Sequence, residues 1–201
     1  MKKLLVLVIA ICHSLSIRAE PAADPSQLTL ARIFADKEFE EEKMETFKWS
    51  KRGAHYFALE KPAEGKVGKD LVRHDAATGE RTVIATAQQM TPAGEKKPLS
   101  VDSFEFSADE SQVLLFANTK KVWRKNTRGD YWLLDVAAKQ LRKLGGGAAP
   151  STLMFAKFSP DGSRVAFVRK NNLQVQNLAD MKIAGLTADG STRSSMAAPT
   201  G

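Results

Sequence analysis

Three segments of the chain repeat one pattern, in which an aromatic residue and a serine lead through a polar turn into an apolar run. They read WSKRGAHYFAL (49–59), FSADESQVLLF (106–116) and FSPDGSRVAFV (158–168), and their first residues are 57 and 52 positions apart. In the third copy, SPDG at 159–162 places Ser, Pro and Gly where a type I turn prefers them. The apolar runs are short and rich in β-branched and aromatic residues, which is typical of buried strands.

Further strand-like runs follow each copy at matching distances. The predicted strands are 55–60, 70–75 and 81–87 in the first unit, 112–118, 131–136 and 140–144 in the second, and 164–170, 173–178 and 182–187 in the third. The stretch before each aromatic residue, such as 101–106, supplies a fourth. Four short antiparallel strands recurring about every fifty residues are typical of propeller blades, although a β-sandwich or a solenoid also fits such runs. We predict an all-β fold, an incomplete β-propeller of about three four-stranded antiparallel blades at 49–190.

An incomplete propeller leaves blade faces without neighbours. Every blade of a closed propeller packs on two others, whereas the first and third blades here would each have one apolar face uncovered. In the third copy, this reasoning predicts exposure of Val165, Phe167, Leu173 and Val175. The expected consequences are low stability and self-association through the open blade faces.

The first residues have the features of a secretory signal peptide. Two lysines precede an apolar segment at 4–12, and Ala19 offers a small residue for cleavage. The apolar segment is too short to span a bilayer. We therefore predict a signal peptide at 1–19 and export to the periplasm or the extracellular space. A short N-terminal arm at 20–48 and a disordered tail at 191–201 would flank the blades.

Charge and cysteine content exclude several kinds of site. The formal net charge is +7, and removal of residues 1–19 leaves 27 Lys and Arg against 23 Asp and Glu, a net +4. An excess this small is weak evidence for a nucleic-acid partner. The single cysteine, Cys12, lies in the predicted signal peptide, so the mature chain has no disulfide and no thiol ligand. His55 and His74 lack the spaced partners of a zinc site, and we expect no metal and no cofactor.

No catalytic constellation is visible in the sequence. There is no G-x-S-x-G motif, and the triple glycine at 145–147 lacks the Lys-Ser/Thr of a phosphate loop. The stretch that stands out is 120–132, which interleaves five basic residues with Trp123, Tyr131 and Trp132. It is either a ligand loop, of a kind that nucleic acid also uses, or a solvated hairpin whose aromatic residues pack on the sheet.

The chain from about Leu28 to Gly190 resembles the N-terminal propeller domain of the dipeptidyl peptidase IV family. The members of this family are prolyl oligopeptidase-type serine peptidases. The matching segments are 28–39, 118–135 and 158–178, and NTKKVWRKNTRGDYWLLD in the middle is the most specific. Members of this family are exported and remove N-terminal dipeptides with Pro or Ala in second position. The resemblance implies an eight-bladed propeller that caps an α/β-hydrolase domain holding Ser, Asp and His.

The resemblance also implies one substrate-binding residue. Arg124 in VWRK matches the family arginine that points from the propeller into the active-site cavity and hydrogen-bonds a substrate carbonyl. A planar guanidinium suits this task better than the ammonium group of lysine. The family's acidic pair, which binds the free amine of the substrate, is expected just after LTADG (186–190), where this chain reads STRSSMAAPTG.

These features predict a truncated propeller domain of an exported serine dipeptidyl peptidase. It would gate substrate access and have no catalytic residues of its own. Peptide substrate is the expected ligand once a hydrolase domain completes the chain. Nucleic acid and, after signal cleavage, membrane are not expected as partners. The alternative is a small periplasmic propeller-like binding or scaffold protein of the TolB type.

Overall fold

The computed structural model of the chain describes residues 26–36, 38–40, 45–63 and 67–191. The predicted signal peptide and the predicted tail beyond residue 191 lie outside these residues. The chain divides into two compact parts, residues 1–43 and residues 44–201, which are described separately below.

In the described residues of the first part, a single turn of π-helix spans Ala31–Ala35. The turn is closed at its end by the backbone N–H of Asp36, which donates to the carbonyl oxygen of Ala31 at 2.8 Å. Arg32 and Glu38 form an ion pair across it, with Nε and Oε2 2.5 Å apart. The predicted N-terminal arm therefore contains one short helical turn.

The described residues of the second part contain only strands and turns. The strands are β1 Phe47–Trp49, β2 His55–Glu60, β3 Asp70–Asp75, β4 Arg81–Ala85, β5 Val101–Phe106, β6 Gln112–Val122, β7 Lys125–Asp135, β8 Leu141–Lys143, β9 Leu153–Phe158, β10 Arg164–Arg169, β11 Asn172–Asn177 and β12 Ile183–Gly185. Four predicted strands are shorter than expected, and the pair β6 and β7 is longer. The all-β prediction is confirmed.

The strands form three antiparallel repeat units with one topology. The first unit has the order β1-β2-β3-β4, and the second and third contain β5 to β8 and β9 to β12 in the same succession. The second and third units also meet at one backbone pair, Gly129 with Leu153. The sequence repeat therefore corresponds to a structural repeat of four strands.

The serine of each later repeat forms part of a hydrogen-bonded turn. In the second unit the Asp109 carboxylate accepts hydrogen bonds from the hydroxyls of Ser107 and Ser111, at 2.6 and 2.7 Å. Asp161 accepts equivalent bonds from Ser159 and Ser163 in the third unit. These serine hydroxyls lower the pKa of both carboxyl groups to about 2. The turn therefore depends on an ionised aspartate, which sequence analysis did not single out.

This arrangement predicts a specific loss of stability in acid. Because the carboxyl pKa is near 3.9 in an unfolded chain, the contribution of Asp109 and Asp161 is complete above that pH and is lost as pH falls towards 2. Thermal unfolding of the wild type and of an Asp109→Asn, Asp161→Asn double variant between pH 5 and pH 2 measures this effect. We expect the unfolding midpoint of the double variant to fall less over this range. Equal slopes for the two proteins would contradict the assignment.

Two clusters of buried side chains join neighbouring repeat units. The first cluster combines Phe57, Leu59, Leu71, Ala85 and Met90 with Phe104, Val113, Leu115 and Leu134. The second combines Leu114, Leu133 and Leu144 with Leu153, Ala156, Val165, Phe167 and Leu178. The core thus lies between stacked sheets, as expected when one sheet alone cannot bury both of its faces.

The predicted exposure of Val165 and Phe167 is wrong. Their exposed fractions are 0% and 1%, because both side chains face the second repeat unit and belong to the second cluster. Leu173 and Val175 lie on the opposite face of the sheet and are half-buried, not fully exposed. The alternation along the strands separates two faces, but it does not identify the one that faces the neighbouring unit.

The inward face of β11 is polar, which is the reverse of the usual arrangement. Gln176 stands opposite Val165 in the β10–β11 register and is only 1% exposed. Its side-chain oxygen accepts a hydrogen bond from the N–H of Gly145 at 2.9 Å, and its Nε2 donates to the carbonyl oxygen of Met181 at 3.0 Å. These two hydrogen bonds lower the cost of burying the amide. The apolar residues of β11 are therefore left on the outer face of the third unit.

Candidate functional site

The basic and aromatic stretch of the sequence forms a long β-hairpin. Strands β6 and β7 are continuous up to the pair Val122 and Lys125, so the turn consists of Trp123 and Arg124 alone. Trp123 has φ +60°, a backbone conformation that glycine adopts in most turns of this length. A bulky residue in this conformation is unusual and costs about 1–3 kcal/mol, which directs attention to its function.

The hairpin bends where it leaves the body of the sheet. Regular pairing ends at Ala117 with Asp130, and Asn118 has φ +47°. At Gly129 a Cβ atom would collide with the ring of Phe116 and lie 2.9 Å from the carbonyl oxygen of Ala117. Only a residue without a side chain allows this close approach of the two strands. The bend divides the hairpin into a packed base and a projecting arm, residues 119–128.

Asp130 is the centre of a buried polar cluster at the bend. Its side chain is only 8% exposed. Oδ2 accepts a hydrogen bond from Nδ2 of Asn118 at 2.9 Å and lies 3.3 Å from Nζ of Lys143. Oδ1 accepts from the N–H of Ser151 at 2.9 Å, and Ser151 Oγ donates to the carbonyl oxygen of Asn118 at 2.6 Å. The carboxylate therefore connects the bend to β8 and to the segment that enters β9.

A second carboxylate holds the arm itself. Oδ2 of Asp102, on β5, accepts hydrogen bonds from Thr119 Oγ1 at 2.5 Å and from Asn126 Nδ2 at 2.7 Å. Asn126 Nδ2 also donates to Thr119 Oγ1 at 3.1 Å. Both strands of the arm are thereby tied to β5. These contacts fix the direction in which the arm projects.

The structure places Arg124 at the tip of this arm. Its side chain is exposed, and among the described residues it has no hydrogen-bond or ion-pair partner. Trp123 beside it is 93% exposed. The tip therefore presents a guanidinium and an indole to solvent from a backbone that is held at its base. Both groups are therefore accessible to a ligand.

The structural interpretation of this stretch is confirmed for its base, and the ligand-loop interpretation stays a prediction for the arm. At the base, Tyr131 stacks on Phe116 with ring centres 4.6 Å apart, and Nζ of Lys143 lies 5.7 Å from the ring centre of Trp132. These aromatic residues pack on the sheet, as expected of a structural hairpin. The arm beyond the bend has no such packing. Sequence analysis did not separate the two parts, because strands of polar residues look like loops.

The two histidines of the described chain have structural roles. His55 Nε2 lies 3.3 Å from Glu110 Oε2, and His74 Nε2 lies 2.6 Å from Glu60 Oε1. Burial favours a higher pKa for Glu60, but hydrogen bonds from Arg81 and His74 outweigh it, so the pKa is lowered. Glu110 also accepts a hydrogen bond from Ser50, so it links the second repeat unit to the first. Neither histidine has the set of ligands that a metal ion needs.

The described residues contain no group of three or more His, Cys, Asp and Glu side chains that could hold a metal ion. Within the same residues, no helix has the length and apolar character that a membrane span requires.

Comparison with known proteins finds a family match that covers the β6–β7 hairpin. Residues 107–200, which include the whole hairpin, match the model of the "Dipeptidyl peptidase IV (DPP IV) N-terminal region". A probable dipeptidyl-aminopeptidase B of Ajellomyces dermatitidis is 29% identical over 123 residues. A protein of the same name from Arthroderma gypseum is 38% identical over 84 residues. Residues 107–200 are therefore similar to the N-terminal region of dipeptidyl peptidase IV family proteins, in agreement with the resemblance seen in the sequence.

The relatives are much longer proteins than this chain. The matches cover 61% and 42% of the chain, but only 13% and 9% of the two fungal dipeptidyl-aminopeptidases. The crystal structure of Porphyromonas gingivalis dipeptidyl peptidase 4 aligns with a TM-score of 0.66 and 23% identity, over 82% of this chain and 22% of that one. This likeness shows that the repeat units share the fold of that dipeptidyl peptidase. A TolB structure from Acinetobacter baumannii reaches a TM-score of only 0.45, too low to bear on function.

Proposed function

We propose that this chain is part of the β-propeller of an exported serine dipeptidyl peptidase and that its hairpin arm presents Arg124 to the peptide substrate. The observation that carries the proposal is the placement of Arg124. It is exposed and without a described partner, on an arm that two carboxylates hold at its base. It also lies inside the segment that matches the family model.

The chemistry of the proposed contact follows from the guanidinium group. A fixed cation with several N–H donors can bind a carbonyl oxygen of the peptide backbone and orient it. Such a contact does not depend on the side chains of the substrate. A preference for Pro or Ala in second position therefore belongs to another part of the protein. Arg124 would orient the peptide and would not take part in bond cleavage.

The proposal does not assign the nucleophile to these 201 residues, since the sequence contains no G-x-S-x-G motif. A hydrolase domain would supply the Ser, Asp and His, and the propeller would cap it. The role proposed for this chain is thus binding and gating. The predicted signal peptide at 1–19 supports export to the periplasm or the extracellular space.

We also infer that the three repeat units are consecutive blades of a β-propeller. Two observations support it. The three repeat units share one strand order, and the outer face of the third unit carries Leu173 and Val175 while the glutamines of the same strand point inward. On the outer face of the first unit, Trp49 remains 62% exposed. Further blades, or a second copy of the chain, would cover these faces.

The proposal is tested by dipeptide release from the native protein that contains this sequence. We expect hydrolysis of glycyl-prolyl p-nitroanilide and no hydrolysis of its N-acetylated form, because the family binds the free amine. A purified native protein that leaves both substrates intact would contradict the proposal.

A further inference from the structure

The hairpin arm carries a concentration of positive charge that the rest of the described chain does not neutralise. Five cationic residues lie on the arm and its tip: Lys120, Lys121, Arg124, Lys125 and Arg128. All five are exposed, and none has an acidic or hydrogen-bonding partner among the described residues. Arg124 already has a proposed role, the contact with a carbonyl oxygen of the substrate. The other four have no assigned role.

Three of these cations share one face of the arm. Lys120 stands directly opposite Arg128, and Lys125 stands opposite Val122, which lies two positions from Lys120 on the same strand. Cross-strand partners, and residues two apart in a regular strand, point to the same side. The register shifts between Lys120 and Lys121, where Thr127 is an extra residue on β7, so the alternation is followed along β6, on which Lys120 and Val122 share a side. Lys120, Lys125 and Arg128 therefore form one patch, which we call the basic face.

The basic face is unfavourable for the isolated hairpin. Like charges directly opposite each other on neighbouring strands destabilise the pair. Neither of the carboxylates that hold the arm forms an ion pair with these three cations. Asp130 is buried and bonded to Asn118, Ser151 and Lys143, and Asp102 is occupied by Thr119 and Asn126. An anionic group from another molecule would remove this repulsion.

We propose that the basic face binds an acidic segment of a peptide. The inference rests on the proposed function in one respect, namely that the peptide at the tip is a substrate. If Arg124 holds a backbone carbonyl near the amino end of that peptide, the basic face lies a few residues away along the same arm. The arm then favours peptides that carry Asp or Glu beyond the cleaved dipeptide.

Charge and shape favour a peptide over a small anion. The cations occupy successive positions on the two strands of the arm, so they match several carboxylates in succession along a peptide. Their exposure makes the interaction dependent on ionic strength, because surface charges are screened beyond about 10 Å at 0.1 M salt. Such patches chiefly raise the association rate and the selectivity for oppositely charged partners.

The test uses the full 201-residue chain and two synthetic peptides with a neutral fluorophore. One has the sequence Gly-Pro-Gly-Asp-Glu-Asp-Glu, and the other replaces every Asp and Glu by Asn and Gln. Fluorescence anisotropy at 20 mM and at 500 mM salt gives their affinities. We expect the acidic peptide to bind at least tenfold more tightly at low salt and the difference to disappear at high salt.

Two triple variants locate the interaction. The first changes Lys120, Lys125 and Arg128 to Gln and leaves Arg124 intact. The control changes Lys61, Lys96 and Lys182 to Gln and has the same net charge, and all three control residues are exposed. We expect the preference for the acidic peptide to vanish in the first variant and to persist in the control. Circular dichroism and thermal unfolding show whether both variants are folded.

Three results would overturn the inference. They are equal binding of the two peptides by the wild type, a preference that survives in the first variant, and a preference that is lost equally in the control. None of them bears on whether Arg124 contributes to dipeptide release by the native protein. The wild-type comparison at two salt concentrations needs no variant, so equal binding of the two peptides would overturn the inference even if a variant fails to fold.

Discussion

Replacement of Phe167 by alanine is expected to lower the free energy of unfolding by about 3–5 kcal/mol. Phe167 is 1% exposed and lies in the buried cluster that joins the second and third repeat units. Its loss would leave a cavity between two sheets that cannot easily close. Urea denaturation of the full chain, followed by circular dichroism, measures the change.

The matched control for this substitution is Leu173→Ala on the opposite face of the same sheet. Leu173 is half-buried, and we expect its truncation to cost about 1 kcal/mol. The contrast between the two variants tests which face of the third unit packs on the second. Equal effects would mean that the assignment of faces is wrong.

Replacement of Asp130 by alanine is expected to lower the free energy of unfolding by about 2–3 kcal/mol. The substitution leaves the buried N–H of Ser151 without an acceptor and removes the partner of Lys143. Asp130→Asn keeps one acceptor oxygen and should lose roughly half as much. Urea denaturation gives these values. Hydrogen exchange of the amides in residues 119–128 reports the freedom of the arm.

The Asp102→Ala variant tests whether the arm can be released with little change in the free energy of unfolding. Asp102 is exposed, so its removal should change the free energy of unfolding by about 0.5–1 kcal/mol and still accelerate hydrogen exchange in the arm. Unchanged exchange in both aspartate variants would show that these carboxylates do not hold the arm. The account of a fixed tip would then fail.

The strand repeat could be predicted from the sequence because each unit encodes it locally. In the second and third units, a turn of Ser, Asp and Ser followed by an apolar run needs no information from distant residues. The orientation of the third unit could not be predicted in this way. Gln176 points inward because Gly145, 31 residues earlier, donates a hydrogen bond to it. That pairing exists only after the units have stacked.

The candidate site was predictable only in part, for a similar reason. Arg124 was singled out through its match to a family motif, and no local pattern distinguishes it from the other cations of the stretch. The two carboxylates that hold the arm could not be predicted from the sequence, because their partners lie far away along the chain. Asp130 bonds to Ser151, 21 residues later, and Asp102 bonds to Asn126, 24 residues later. A carboxylate whose partners lie this far away resembles any solvated charge in the sequence.

The central claim is that this hairpin presents Arg124 to the substrate of a dipeptidyl peptidase. The most direct measurement compares kcat/KM for glycyl-prolyl p-nitroanilide between the native protein and its Arg124→Ala variant. Loss of one hydrogen bond from a charged donor predicts a decrease of about 10- to 100-fold. Arg164→Ala, at an exposed arginine on β10 whose side chain has no described partner, should stay within about twofold of the native value. An active native protein in which Arg124→Ala changes kcat/KM no more than Arg164→Ala does would contradict the claim.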